Sequence, residues 1–93
     1  MKIIVRREAD DDLDAIFAWI AKDNPGAAAD MIRRIRSRIG LLTTPGLAHI
    51  GRPGRDDETR ELIELPYIIV YEVHADRELI DILAVFHNSQ ERS

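Results

Sequence analysis

Along the first half of the chain, apolar positions recur at three- and four-residue intervals. Ala9, Leu13, Ile16, Phe17 and Ile20 fall on one helical face, while Asp10, Asp11 and Asp14 lie elsewhere and suit the positive end of a helix dipole. This spacing predicts an amphipathic helix of about four turns. Lys22-Asp23-Asn24-Pro25 interrupts it, because the residue before a proline is pushed out of the α region. Asn24 is placed to cap a second helix, with Pro25 at its first position, where a missing N–H costs nothing. Ala28, Met31, Ile32, Ile35, Ile39 and Leu42 form the second apolar stripe, and Thr43-Thr44-Pro45-Gly46 ends it. So tight a connection predicts an antiparallel helical hairpin.

Elsewhere the period shortens to two. Lys2 to Val5 is a β-favouring run leading straight into the first helix, and three further strands are predicted at Arg60 to Leu65, Tyr67 to His74 and Leu79 to His87. In the second of these, Tyr67, Ile69, Tyr71 and Val73 share one face, with Ile68, Val70 and Glu72 on the other. Apolar character on both faces predicts an interior position. The last strand reads the same way apart from Asp81, and Ala75-Asp76-Arg77-Glu78 is a plausible hairpin connection. The order β-α-α-β-β-β predicts an α+β fold: an N-terminal strand, then an antiparallel helical hairpin packed on one face of a small, mainly antiparallel sheet. The segment from Pro45 to Glu58, with Pro-Gly pairs at Pro45 and Pro53, is the one long irregular stretch, a common place for function. Residues 1–93 are read as a single domain, with no repeat or linker.

Composition narrows the chemistry. An apolar fraction of 45% with 32% charged residues describes a globular chain. Only a small core is available to a domain of this size, so a permanent partner would add to its stability. The absence of cysteine excludes disulfides, thiolate metal sites and cysteine nucleophiles. MKIIVRRE has too few apolar residues for a signal-peptide core, and the run Ala15 to Ala21 is too short to cross a bilayer, so a cytoplasmic protein with no membrane partner is expected. A net charge of -4 argues against a general nucleic-acid binder, and no sequence-specific DNA contact is expected of this chain alone. The charge is uneven, however. Acids crowd Glu8, Asp10, Asp11, Asp12 and Asp14, while bases crowd Arg33, Arg34, Arg36 and Arg38 and then Arg52, Arg55 and Arg60. The simplest reading of both helical sets is a solvated face.

His49, His74 and His87 lie far apart in sequence with no helical pairing, so neither a metal nor any other cofactor is expected. Ser37 and Ser89 lack a nucleophile-elbow setting, and GRPGR lacks the spacing of a phosphate loop and precedes a strand instead of a helix. Arg52, Arg55, Arg60, Tyr71, His87 and Arg92 remain. Cleaving RNA through its 2′-hydroxyl needs a base, a cation for the developing charge and an acid for the leaving oxygen; arginine and histidine suit the last two roles. The competing reading of His87 is a hydrogen-bonded residue closing the last strand, and of Tyr67 and Tyr71 packing on a sheet face with wet hydroxyls. Trp19, among Ala15, Ala18 and Lys22, is either the cap of a core edge or an anchor for a partner.

Three blocks, ADDDLDAIFAWIAKDNPGAA, LLTTPGLAHIGRPGRDDETRELIELPYIIVYEV and IDILAVFHNSQER, resemble in order and spacing the ParE/RelE superfamily of toxins from bacterial type II toxin–antitoxin modules, also labelled plasmid stabilization proteins. The resemblance covers nearly the whole chain. It implies a compact sheet with a helical hairpin, neutralised by a cognate antitoxin (ParD-like or related) whose disordered tail folds over the toxin. It also implies that Trp19, Arg52, Arg55, Arg60, Tyr67, Tyr71 and His87 are candidates for contact with the target or the antitoxin. Two activities divide the superfamily: ribosome-dependent mRNA cleavage in RelE-like members and DNA gyrase inhibition in ParE-like members. Arg60 matches the strand arginine of the superfamily, and His87 with Arg92 match its C-terminal H-x-x-x-R region. The loop here has no lysine, no tyrosine follows His87, and the net charge is negative instead of strongly positive. These departures favour the ParE-like branch and gyrase as the target. Glu58, where a glycine often precedes TREL, is a further departure that bears on the conformation of the loop. The alternatives are a RelE-type endonuclease using Arg60, His87 and Arg92, and an inactive antitoxin-binding module.

Overall fold

The computed structural model describes residues 1–90. Strand β1 (Lys2–Val5) leads through Arg6 into α1 (Arg7–Ala21), and three residues later α2 (Pro25–Gly40) begins. Asn24 Oδ1 accepts from the Ala27 N–H at 3.0 Å with Pro25 in the first turn, so the sequence signal for a fresh helix start is realised atom for atom. Asp10, near the start of α1, lies 4.0 Å from Arg36, near the end of α2, as an antiparallel hairpin requires. After a 3-10 turn at Leu41–Thr43 the chain forms β2 (Arg52–Pro53), β3 (Thr59–Glu64), β4 (Tyr67–His74) and β5 (Leu79–His87).

The sheet has five strands in the order β1-β5-β4-β3-β2. β1 runs parallel to β5, from Lys2 opposite Leu79 to Val5 opposite Ile82, and every other pairing is antiparallel. β4 and β5 are interior strands, which is why their sequences are apolar on both faces. One strand was not foreseen. β2 lies inside the stretch read as irregular, and two residues are too few to show any period.

Both helices cover one face of the sheet, α1 over β5 and α2 over β3. Leu13 and Ile16 of α1, Ile35 and Ile39 of α2, and Leu62, Ile69, Tyr71, Ile80, Ile82 and Val85 of the sheet close the core between them. Each large apolar side chain buried there contributes about 1.5–3 kcal/mol. Phe17, read as part of the α1 stripe, is instead 41% exposed. Ala9, Leu13, Ile16 and Ile20 centre the stripe, and Phe17 sits roughly 70° around the helix from that centre. The helical charges also differ from a merely solvated face. Arg34 and Arg38 reach Glu64 of β3 at 3.7 and 3.1 Å, and Asp12 turns to the sheet, where its Oδ2 accepts from the Val85 N–H at 2.9 Å.

β1 ends opposite Ile82, so β5 continues past it with no strand on that side among the described residues. Asp12 and Gln90 accept from the Val85 and His87 N–H groups there, covering an edge that would otherwise present unpaired donors.

Candidate functional site

The irregular segment is fastened from beneath. Tyr71, at the centre of β4, is fully buried, and its hydroxyl accepts from the Gly51 N–H at 2.9 Å. Arg60, opposite Tyr71 on β3, donates through Nη1 to the Gly51 carbonyl at 2.7 Å and the His49 carbonyl at 3.1 Å. Position 51 admits only glycine, since a Cβ there would lie 2.7 Å from the Glu61 carbonyl oxygen and 2.8 Å from the Tyr71 ring and hydroxyl. Two side chains offered as contact residues on sequence grounds thus serve to hold a loop. Tyr71 has no surface to offer a partner, because the alternation that set it beside Ile69 also placed it beneath the helices.

Arg52 and Arg55 stand elsewhere, at the rim of a cavity of about 690 Å³ on the helix-free face of the sheet. Ile68, Val70, Ala84 and Phe86 form its apolar floor, and Arg52, Arg55, Asp56 and Glu61 its polar border. Arg52 is committed to its cross-strand neighbour, with Nη2 and Nε both 2.9 Å from Glu61 Oε1. Arg55 forms no ion pair among the described residues, which leaves its charge available to an anionic ligand.

A second hollow of about 480 Å³ lies between α1 and the bare edge of β5, lined by Asp12, Ala15, Ile16, Trp19, Tyr67, Val85, Phe86, His87, Ser89 and Gln90. Trp19, Tyr67 and His87 therefore do come together. Trp19 is 69% exposed, with the Lys22 ammonium 5.2 Å over its ring. Tyr67 and His87 meet edge to face at 5.4 Å. Tyr67 is itself buried, which pushes its phenol above the ordinary value, so it forms the floor of this hollow and not its rim. His87 Nδ1 accepts from the Ser89 N–H at 3.0 Å and lies 2.8 Å from the Ser89 hydroxyl. A backbone N–H can only donate, so Nδ1 is the accepting nitrogen in this contact.

Arg60 and His87 are not partners in this geometry. Arg60 pairs with Tyr71 and His87 with Tyr67, four positions apart on β4 and on opposite sides of that strand. That is about 13 Å along the strand direction alone. One guanidinium nitrogen already serves two carbonyls and one imidazole nitrogen accepts from Ser89, so both side chains have hydrogen-bond partners within the chain. Arg92, the third member of that set, lies outside the described residues.

Sequence reasoning passed over Asp12, Gly51 and Asp81. Asp81 was visible as the polar exception in β5, but its partners come from distant parts of the chain. Arg6 Nη2 lies 2.8 Å from Oδ1, and His74 Nε2 lies 3.1 Å from Oδ2. The Arg6 guanidinium holds the Asp81 carboxyl below the usual carboxylate range against the opposing effect of burial, and His74 adds to the lowering.

Comparison with known proteins adds identity to this geometry. Residues 3–92 match the family model described as the ParE toxin of the type II toxin–antitoxin system, parDE. A Sinorhizobium fredii (strain NBRC 101917 / NGR234) protein named "Putative toxin Y4kP" is 42% identical over 81 residues, covering 85% of this chain and 79% of its own length. Among solved structures, the chromosomal ParDE system from P. aeruginosa superposes with a TM-score of 0.80 at 26% identity, over 94% of this chain and 95% of that one. The RelBE2 toxin–antitoxin complex from Mycobacterium tuberculosis shares the fold, with a TM-score of 0.61 at 22% identity over 92% and 95% of the two chains. No helix among the described residues is long and apolar enough to cross a membrane.

Proposed function

We propose, from the premise that this chain belongs to the ParE toxin family of type II toxin–antitoxin systems, that it acts in the cytoplasm by binding DNA gyrase and is neutralised by a ParD-like antitoxin. The observation that carries the reading is the separation of Arg60 from His87, each engaged in holding the fold. An acid and a cation placed so far apart do not converge on one phosphate in this arrangement, which favours binding over RNA cleavage. What the surface offers instead suits recognition. An exposed tryptophan borders an apolar hollow, and Arg55 stands uncommitted at the rim of a second.

The antitoxin is expected to lay apolar side chains along the α1 hollow and acidic ones near Arg52 and Arg55, where opposite charge orients the encounter. Ordering a disordered tail on this surface raises the toxin's apparent stability by mass action. The similar structures belong to a ParDE toxin–antitoxin system and a RelBE2 toxin–antitoxin complex, which supports a partner of this kind.

The test is a supercoiling assay with purified gyrase and increasing amounts of the purified chain. Loss of supercoiling, reversed by antitoxin, is the expected result. Full supercoiling at saturating toxin removes gyrase as the target, and mRNA cleavage in a translation extract replaces the binding mechanism by an enzymatic one. Unimpeded growth of cells expressing the chain without antitoxin assigns it to an inactive antitoxin-binding module.

A further inference from the structure

The geometry points to a divalent metal site of the zinc class formed by Glu72, His74 and Asp81 on the helix-free face of the sheet. Glu72 and His74 are two apart on β4 and so project to the same side, and Asp81 lies directly opposite Glu72 on β5. His74 Nε2 is 3.1 Å from Asp81 Oδ2 and 3.5 Å from Glu72 Oε1, and the three groups offer ligand atoms within 4.8 Å of one another. An ion held tetrahedrally by nitrogen and oxygen ligands at about 2.0–2.2 Å sets neighbouring ligand atoms about 3.3–3.6 Å apart. One of the two His74 separations falls inside that range and the other about 0.2 Å short of it, so the imidazole stands at ligand spacing from both carboxylates, and closing the set on an ion needs only side-chain movement.

A second observation distinguishes this cluster from a chance meeting of surface acids. The Asp81 side chain is only 7% exposed, and Oδ1 makes no aligned hydrogen bond; its neighbour is Arg6, in a 2.8 Å charge contact. Arg6 thereby fixes the carboxylate and turns Oδ2 to the imidazole, the role that outer groups play around ligating carboxylates. All three ligands stand on the interior strands of the sheet, which limits their movement.

One imidazole with two carboxylates selects late first-row ions over magnesium, which prefers oxygen ligands and retains its water. With three protein ligands, one position stays open. It is reached from a hollow of about 430 Å³ that Glu72 and His74 share with His49, Asp57, Glu58, Arg60 and Asp76. Histidine spacing along the chain does not reveal this set, because Asp81 joins Glu72 and His74 through strand pairing.

The experiment titrates zinc into untagged, EDTA-treated and desalted protein, followed by calorimetry and by thermal melting in a non-chelating buffer. Binding of one zinc per chain with a rise in Tm is expected, with no such rise in magnesium. His74→Gln should weaken zinc binding at least tenfold while retaining the fold, and Glu72→Gln should weaken it too, whereas His49→Gln should bind zinc as the parent does. Absence of a zinc-dependent Tm rise overturns the site. So does unchanged affinity in His74→Gln, which places the ion elsewhere, and so does an equal response to magnesium, which reduces the cluster to a diffuse acidic patch. None of these results depends on what the toxin's target is.

Discussion

The hydroxyl of Tyr71 accepts a hydrogen bond from the backbone N–H of Gly51 at 2.9 Å inside the protein, tying the long loop to the central strand. Phenylalanine at 71 would keep the ring and strand the amide. Tyr71→Phe is expected to lose about 1–3 kcal/mol, the cost of an unsatisfied buried donor, read as a lower urea midpoint. Hydrogen exchange of the Gly51 amide should quicken in the same variant.

Arg60 and Arg55 carry the same charge but should separate cleanly. Arg60→Ala removes the donor to the His49 and Gly51 carbonyls and should cost about 1–2 kcal/mol of stability. Arg55→Ala should leave stability within about 0.5 kcal/mol. If Arg55 meets an acidic antitoxin, its loss slows association and weakens the dependence of the rate on salt, measured by stopped flow at several ionic strengths.

Trp19→Ala should likewise leave the urea midpoint nearly unchanged, since the ring is mostly in solvent. Its effect belongs to the complex. A loss of about 2 kcal/mol in antitoxin affinity, roughly 30-fold in Kd, is expected for a central aromatic anchor. Parent-like affinity would move the interface away from the α1 hollow.

Burial raises the Tyr67 phenol above its value in the unfolded chain, so folding favours the protonated form. The resulting stability is fully present below the unfolded value of about 10 and is lost as pH rises through the folded value. Urea midpoints between pH 9 and 11 should therefore fall, and Tyr67→Phe should make that fall shallower.

Much of this architecture is legible along the chain, for local reasons. Leu65-Pro66 and the Ala75–Glu78 turn bound β4 so sharply that Tyr67 to His74 reads correctly from the pattern alone, and Asn24-Pro25 does the same for the helical hairpin. The site was harder. Nothing near Arg60 tells a solvent-facing guanidinium from one folded back onto carbonyls, because those carbonyls belong to residues nine and eleven positions away. Asp81 meets Arg6 only because β1 runs beside β5, and alternation sets Tyr71 on the face of Ile69 without saying how completely the helices seal it.

That first strand has a consequence for synthesis. β1 finds its parallel neighbour in β5, the last strand among the described residues, so the sheet can close only after both helices and the three intervening strands have been made. A growing polypeptide of this kind offers no finished surface to any target. Any partner that reads the sheet must therefore wait until β5 has been made and has joined β1.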